Sequence, residues 1–290
     1  MNLLNRSPGN KLIRLVFFLW VGCSGCAAGR HAKGSFFFIQ MADTQFGFFN
    51  ENKSFEKETG HFEKAIREAN RLKPAFVIVC GDLVNRSLDT AQIREYKRVA
   101  REIDPGIPLY NVAGNHDVGN EPTPESIAAY RKDFGADYYS FNYRSMFGIV
   151  LNSNYLKSPE KVPELALAQE NWLTTTLKDA KQKGYRHIIV FLHHPLFLNQ
   201  PDEANQYFNI PLATRKKYLA IFKAAGIRYV FAGHYHRNAF GKDGDIEMVT
   251  TGPVGKPLGK DPSGFRIIEV RGDKVTYPYY NLDSIPANIQ

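Results

Sequence analysis

Cysteine is scarce in this chain. Of 290 residues only Cys23, Cys26 and Cys80 carry thiols, and the first two lie in an apolar amino-terminal tract. A chain cleaved after Ala28 therefore keeps one thiol and needs no disulfide. Within the run Ala75 to Cys80 that thiol reads as a small buried hydrophobe. Acidic residues are absent before Asp43, and long basic blocks are absent throughout. The net charge of +8, from 37 basic and 29 acidic residues, is scattered, and Arg6, Lys11 and Arg14 supply three of it. Without a clustered basic face, no nucleic-acid partner is expected. Internal repeats, low-complexity tracts and Pro/Ser-rich linkers are missing too. With 43% hydrophobic and 13% aromatic residues, the chain has enough apolar mass for a folded unit, and residues 35–285 read as a single domain.

Residues 1–28 read as a secretory or lipoprotein-type signal segment. A polar, basic start precedes the apolar run Leu15 to Val21, and the small residues Gly22, Ser24, Gly25, Ala27 and Ala28 follow. The run is too short for a comfortable membrane span and has the order of an export signal. Cleavage after Ala28 and lipid attachment at Cys23 or Cys26 are both compatible with it. The expected location is exported: periplasmic, or envelope-associated through a lipid anchor. The spacing of Cys23 and Cys26 also matches a redox pair, but an apolar leader is a poor setting for one.

What is present beyond the leader is a series of buried runs that each stop at a polar residue. Ser35 to Met41 leads to Asp43, Ala75 to Cys80 to Asp82, and Leu109 to Ala113 to Gly114, Asn115, His116 and Asp117. His187 to Leu192 leads to His193, and Ile227 to Ala232 to His234 and His236. Helical patterns intervene: Phe62 to Leu72, Thr90 to Ile103, Pro124 to Gly135 with Thr123 as cap, Leu165 to Ala180, and Ala213 to Ala225. Tyr138 to Tyr143 and Met146 to Leu151 read as a hairpin. Ile246 to Thr250, Phe265 to Val270 and Lys274 to Tyr280 read as consecutive strands, so antiparallel structure is expected to close the sheets. The class is α/β, with its site at the strand carboxyl ends.

Two carboxylates, one amide and three imidazoles on five separate strand ends form an oxygen/nitrogen set suited to borderline divalent metals such as Zn, Mn, Fe or Co. A lone histidine is an ordinary polar residue, and His31, His61 and His187 are read so.

The pattern D…GD…GNHD…H…GHxH resembles that of the calcineurin-like metallophosphoesterases. The stretches DTQFG, CGDL, AGNHDVGN, PTPES, VLNS, TRKK, GHYHRN and LGKDPSGFR resemble a branch of that family containing a Ser/Thr protein phosphatase. The likeness spans about Phe36 to Leu282. It implies a four-layer α/β/β/α sandwich of mixed sheets and two divalent metals, bridged by Asp82 and a hydroxide. Asn115, His193 and His234 would hold the second metal, and Asp43 and His236 the first. His193 is preferred to His194 because the family's ligand stands two residues before the proline. His116 would stabilise phosphoryl oxygens and protonate the leaving alkoxide, with Asp117 orienting it and keeping it protonated. Asn152, Arg237 and Asn238 are candidate substrate contacts; a solvated charge for Arg237 and turn amides for the two asparagines are as well supported. Phe48, Phe49, Tyr207 and Phe208 are candidate walls of the mouth.

Gln45 departs from the general family pattern, standing where an imidazole is usual, as it does in the resembled branch. It would ligate through its carbonyl oxygen or withdraw from the metal. Either way the first metal is expected to bind more weakly, with preference shifting toward Mn or Mg. The implied reaction is metal-dependent hydrolysis of a phosphomonoester in a protein or small molecule. The alternatives are phosphodiester hydrolysis and binding of a phosphorylated ligand with little turnover.

Overall fold

The computed structural model describes residues 34–289; the leader read in residues 1–28 lies outside them. Two six-stranded sheets form the centre. In the first, β1 (Phe36–Met41), β2 (Val77–Cys80) and β3 (Leu109–Val112) run parallel. The long strand β10 (Gly264–Arg271) joins β1 antiparallel and carries β11 (Lys274–Thr276) and β12 (Tyr279–Asn281). The second sheet has the order β4-β5-β6-β7-β9-β8. Its parallel centre is β5 (Met146–Val150), β6 (His187–Phe191), β7 (Tyr229–Ala232) and β9 (Ile246–Thr250). The edges β4 (Tyr139–Tyr143) and β8 (Ala239–Asp243) are antiparallel to their neighbours.

Strand alternation explains why the sheets stack. Successive side chains point to opposite faces, so Phe36, Phe38, Phe76 and Ile78 of the first sheet meet Ile189, Phe191, Tyr229 and Phe231 of the second in one apolar layer. Phe38 stacks on Phe76 at 4.5 Å and meets Phe191 edge-on at 5.8 Å, both favourable arrangements of ring quadrupoles. The intervening residues face helices. Ile39, Met41, Val77 and Val79 share a core with α1 (Glu56–Leu72) and α2 (Thr90–Ala100), whereas Val190 and Val230 share it with α6 (Pro163–Gln182) and α7 (Leu212–Ala225). The result is the α/β/β/α sandwich.

Several elements differ from the sequence reading. The expected turn at GNHD is a short helix, α3 (Asn115–Val118), and a second short helix, α5 (Asn154–Lys157), follows β5. The helix α4 (Pro124–Phe134) begins at its Thr123 cap as expected, through a bond from Ser126 N to Thr123 Oγ1. The strand Ile246 to Thr250 does not join the other two closing strands: it lies in the second sheet, parallel to β7 and antiparallel to β8. The edge strand β8 carries Gly241 and two charged residues among its five, Lys242 and Asp243, which hid its strand character. Lys274 to Tyr280 divides into β11 and β12 around Pro278, which lacks the N–H a ladder needs.

Candidate active site

Because the central strands of each sheet are parallel, their carboxyl ends reach the same edge, where the two sheets are tied together. His234 N donates to both carboxylate oxygens of Asp43 at 3.0 and 3.1 Å, and Gly255 N donates to Asp43 O at 3.0 Å. Asp43, Gln45, Asp82, His234 and His236 all have φ between 41° and 69°, a region that non-glycine residues seldom occupy. Such strain persists where surrounding structure fixes it, and it clusters at functional sites. Gly81 allows a close approach: with φ at 82°, a Cβ there would lie 2.3 Å from His193 Nδ1.

Four imidazoles are anchored in the same way. His193 Nδ1 lies 2.9 Å from Cys80 O, His234 Nε2 3.3 Å from Tyr207 O, His236 Nδ1 2.6 Å from Lys256 O, and His116 Nδ1 2.8 Å from Asn85 O. A carbonyl only accepts, so each of these ring nitrogens is the N–H donor and the opposite nitrogen is left for chemistry. The opposite nitrogens of His193, His234 and His236 turn toward the strand-end carboxylates and amide. His193 Nε2 lies 2.9 Å from Asn115 Oδ1, 3.1 Å from His234 Nδ1 and 3.3 Å from Asp82 Oδ2, and His236 Nε2 is 3.6 Å from Asp43 Oδ1. Donor atoms of Asp43, Asp82 and His193 lie within 4.8 Å of one another.

The cluster is electrostatically polarised. Burial raises Asp82, but the imidazoles of His193 and His116 overcome it and hold the carboxyl well below its usual range. Burial drives Asp43 upward, with Asp82 adding to the effect. Burial alone would lower His193, yet Asp82 beside it carries the imidazole up to about 9. Burial and the neighbouring His193 keep His234 neutral, and burial takes His236 down to about 4. Buried carboxyl groups, an amide oxygen, the neutral imidazoles of His234 and His236, and His193 once its proton has left fit a divalent cation. Gln45 fits as well: its Oε1 is buried with no hydrogen-bond partner, while Nε2 donates to Asn85 Oδ1 at 3.0 Å.

Asn115, His193, His234, Asp43, His236, Asp82, Gln45 and His116 are thus brought together. Asp117 is placed differently from expectation. Its oxygens accept from Leu83 N at 2.9 Å, Val84 N at 3.1 Å and Gly114 N at 2.8 Å. They staple two strand-end loops, and no bond runs to His116, whose ring partner is Asn85. Burial and Asp82 push Asp117 up to about 8. His194 turns Nδ1 to Ser153 Oγ at 2.9 Å, leaving His193 as the member of the pair facing the carboxylates.

The three candidate substrate contacts are engaged elsewhere. Asn152 is fully buried and bonded to Gln169, Asp137 and Asn154. Arg237 donates twice to Leu258 O and lies over the Tyr235 ring. Asn238 bonds Asp261, Gly252 and Arg266. Of the aromatic candidates, Phe48 lies 5.3 Å from His236, and Tyr207 and Phe208 lie 5.0 and 5.6 Å from His234, while Phe49 packs on His61 instead. Sequence reading missed Asn85 and Asn120, the latter accepting from Asn115 Nδ2 at 2.8 Å. Asn120 ends the stretch AGNHDVGN, so its proximity was signalled; Asn85 carried no comparable mark.

The calcineurin-like phosphoesterase family model matches residues 38–238, and the chain belongs to that family. It is a phosphoric ester hydrolase, of a family that uses divalent metal ions. Among its relatives is the human serine/threonine-protein phosphatase CPPED1, 41% identical over 269 residues that cover 87% of this chain and 86% of that protein. The Danio rerio protein of the same name is 38% identical over 268 residues, covering 87% of each. Solved structures with the same fold include a dimetal phosphatase from Danio rerio, with a TM-score of 0.63, 15% identity and coverage of 85% of this chain and 96% of that one. A purple acid phosphatase from yellow lupin has a TM-score of 0.65 and 13% identity, covering 87% and 52%.

Proposed function

We propose that the chain is a phosphomonoesterase using two divalent metal ions, with phosphorylated serine or threonine in a protein as a substrate class. The observation that supports it most is the convergence of His193 Nε2, Asp82, Asn115 and His234 beside His116, whose Nδ1 is committed to Asn85 O. Relatives named as serine/threonine phosphatases over nearly their whole length support the substrate class. Asn115, His193 and His234 would hold one ion, Asp43, His236 and Gln45 the other, and Asp82 both. Bound, such ions polarise phosphoryl oxygens and lower the pKa of water, making a nucleophile available near neutral pH.

The chain's own residues do the rest. The bond from His116 N to Asp82 Oδ1, at 2.8 Å, fixes His116 relative to the centre. The Asn85 carbonyl takes the Nδ1–H, so it is Nε2–H of the imidazolium form that stabilises the phosphoryl oxygens and hands its proton to the leaving alkoxide, leaving the ring neutral. Asp117 contributes by holding the loops of Asp82 and His116 in register. Export through the leader pattern of residues 1–28 would place this activity at the envelope, which cell fractionation of the full chain tests. Hydrolysis of p-nitrophenyl phosphate over bis-p-nitrophenyl phosphate in Mn is the expected outcome. Preference for the bis ester would point to diester hydrolysis, and turnover of neither to a binding protein.

A further inference from the structure

The loop between His194 and α7 exposes an aromatic residue over the site while spending buried polar groups to hold it still. Arg215, fully buried at the start of α7, makes four hydrogen bonds to main-chain carbonyls: Nη1 to Pro201 O and Glu203 O, at 3.1 and 2.7 Å, and Nε and Nη2 to Ile210 O, at 3.2 and 2.9 Å. Within the loop the Glu203 carboxylate accepts from Leu198 N and Asn199 N, and Lys157 Nζ donates to Gln206 O and Asn209 O from α5. Burying a guanidinium without a carboxylate partner is costly unless its donors are satisfied, and here the carbonyls of this loop satisfy them.

What the loop presents is Tyr207. Its ring is half exposed, its main-chain carbonyl fixes the tautomer of His234, and its hydroxyl lies 3.3 Å from Asn115 Nδ2. The Asn115 amide can only donate in that contact, because its Oδ1 faces His193. The phenolic oxygen is therefore the acceptor, and its own proton is directed elsewhere.

We propose that Tyr207 is a substrate-contacting residue: its hydroxyl, oriented by Asn115, donates to a phosphoryl oxygen of the bound ester, and Arg215 is the positioning residue that keeps it there. The assignment rests on the phosphoesterase reading above and adds to it a phenolic hydrogen-bond donor from the loop before α7.

The test uses the metal-loaded full chain. Inorganic phosphate binding is measured by calorimetry, alongside kcat and KM for p-nitrophenyl phosphate, in wild type, Tyr207→Phe, Arg215→Met, the double variant and His116→Ala. Tyr207→Phe keeps the carbonyl to His234 and the ring, so metal content and melting temperature should not change. Phosphate affinity should fall about tenfold, the usual worth of one such bond, with kcat falling by a similar factor. Arg215→Met should lower phosphate affinity, and adding Tyr207→Phe to it should cost less than twofold more. If Arg215→Met does not fold, Arg215→Lys substitutes, and Tyr207→Phe still decides the hydroxyl's role. Phosphate affinity within twofold of wild type in Tyr207→Phe would overturn the proposal. If that happens while His116→Ala loses turnover, the phosphoesterase reading stands without Tyr207. Full turnover in His116→Ala would count against the acid role but leave the phosphate result to judge Tyr207.

Discussion

At the scale of single residues, the site is set by which atom of each side chain is already taken. Main-chain carbonyls occupy one nitrogen of His116, His193, His234 and His236, leaving the second nitrogen of each ring for metal or substrate. Asp117 is taken completely, and its removal should be felt as stability. Asp117→Ala leaves three buried N–H groups unpaired, so a loss of at least ~2 kcal/mol is expected in urea denaturation; an unchanged midpoint would show the staple to be dispensable. His193 supplies a pH prediction. Asp82 raises its pKa to about 9 in the metal-free protein, so below that pH a proton must leave before a cation can bind. The affinity of stripped protein for Mn should climb steadily from pH 6 toward 9, and a flat profile in calorimetry would contradict the assignment of His193 as a ligand.

At the scale of elements, much was legible because a buried parallel strand writes itself as a continuous apolar run. The runs ending at Asp43, Asp82, Asn115, His193 and His234 were readable, and with them most of the candidate metal ligands. β8 was not, because an edge strand solvated on one face has no need of a hydrophobic run. The work of Asp117, Asn152 and Asn238 was also hidden, because their partners at Val84, Asp137 and Asp261 are 33, 15 and 23 residues away. Residue type announces that a polar group must be satisfied, but only the fold says by what. Gly81 marks where element and site meet. Gly81→Ala would strain the turn out of β2 and push against the His193 ring. It should fold with a lowered melting temperature and a deficit of bound metal by elemental analysis, whereas normal metal content would show that the ring can give way.

At the scale of the whole molecule, the two sheets are joined by an apolar aromatic layer at their centre and by a buried polar cluster at one edge. That edge holds Asp43, Asp82 and His193 with little solvent, an arrangement that cations stabilise by binding the folded chain alone. At a metal concentration about a hundredfold above its dissociation constant the gain is about 2.7 kcal/mol. Chelation should therefore lower the melting temperature by roughly 5 to 10 °C for a chain of this size, and Mn should restore it. The most direct test of the central claim is turnover of p-nitrophenyl phosphate measured against equivalents of Mn added to stripped protein, for wild type and His116→Ala. Wild-type activity should rise until two equivalents are bound. His116→Ala should bind the same two and be slower by about a hundredfold or more. Two bound equivalents with no wild-type turnover, or full activity in His116→Ala, would contradict it.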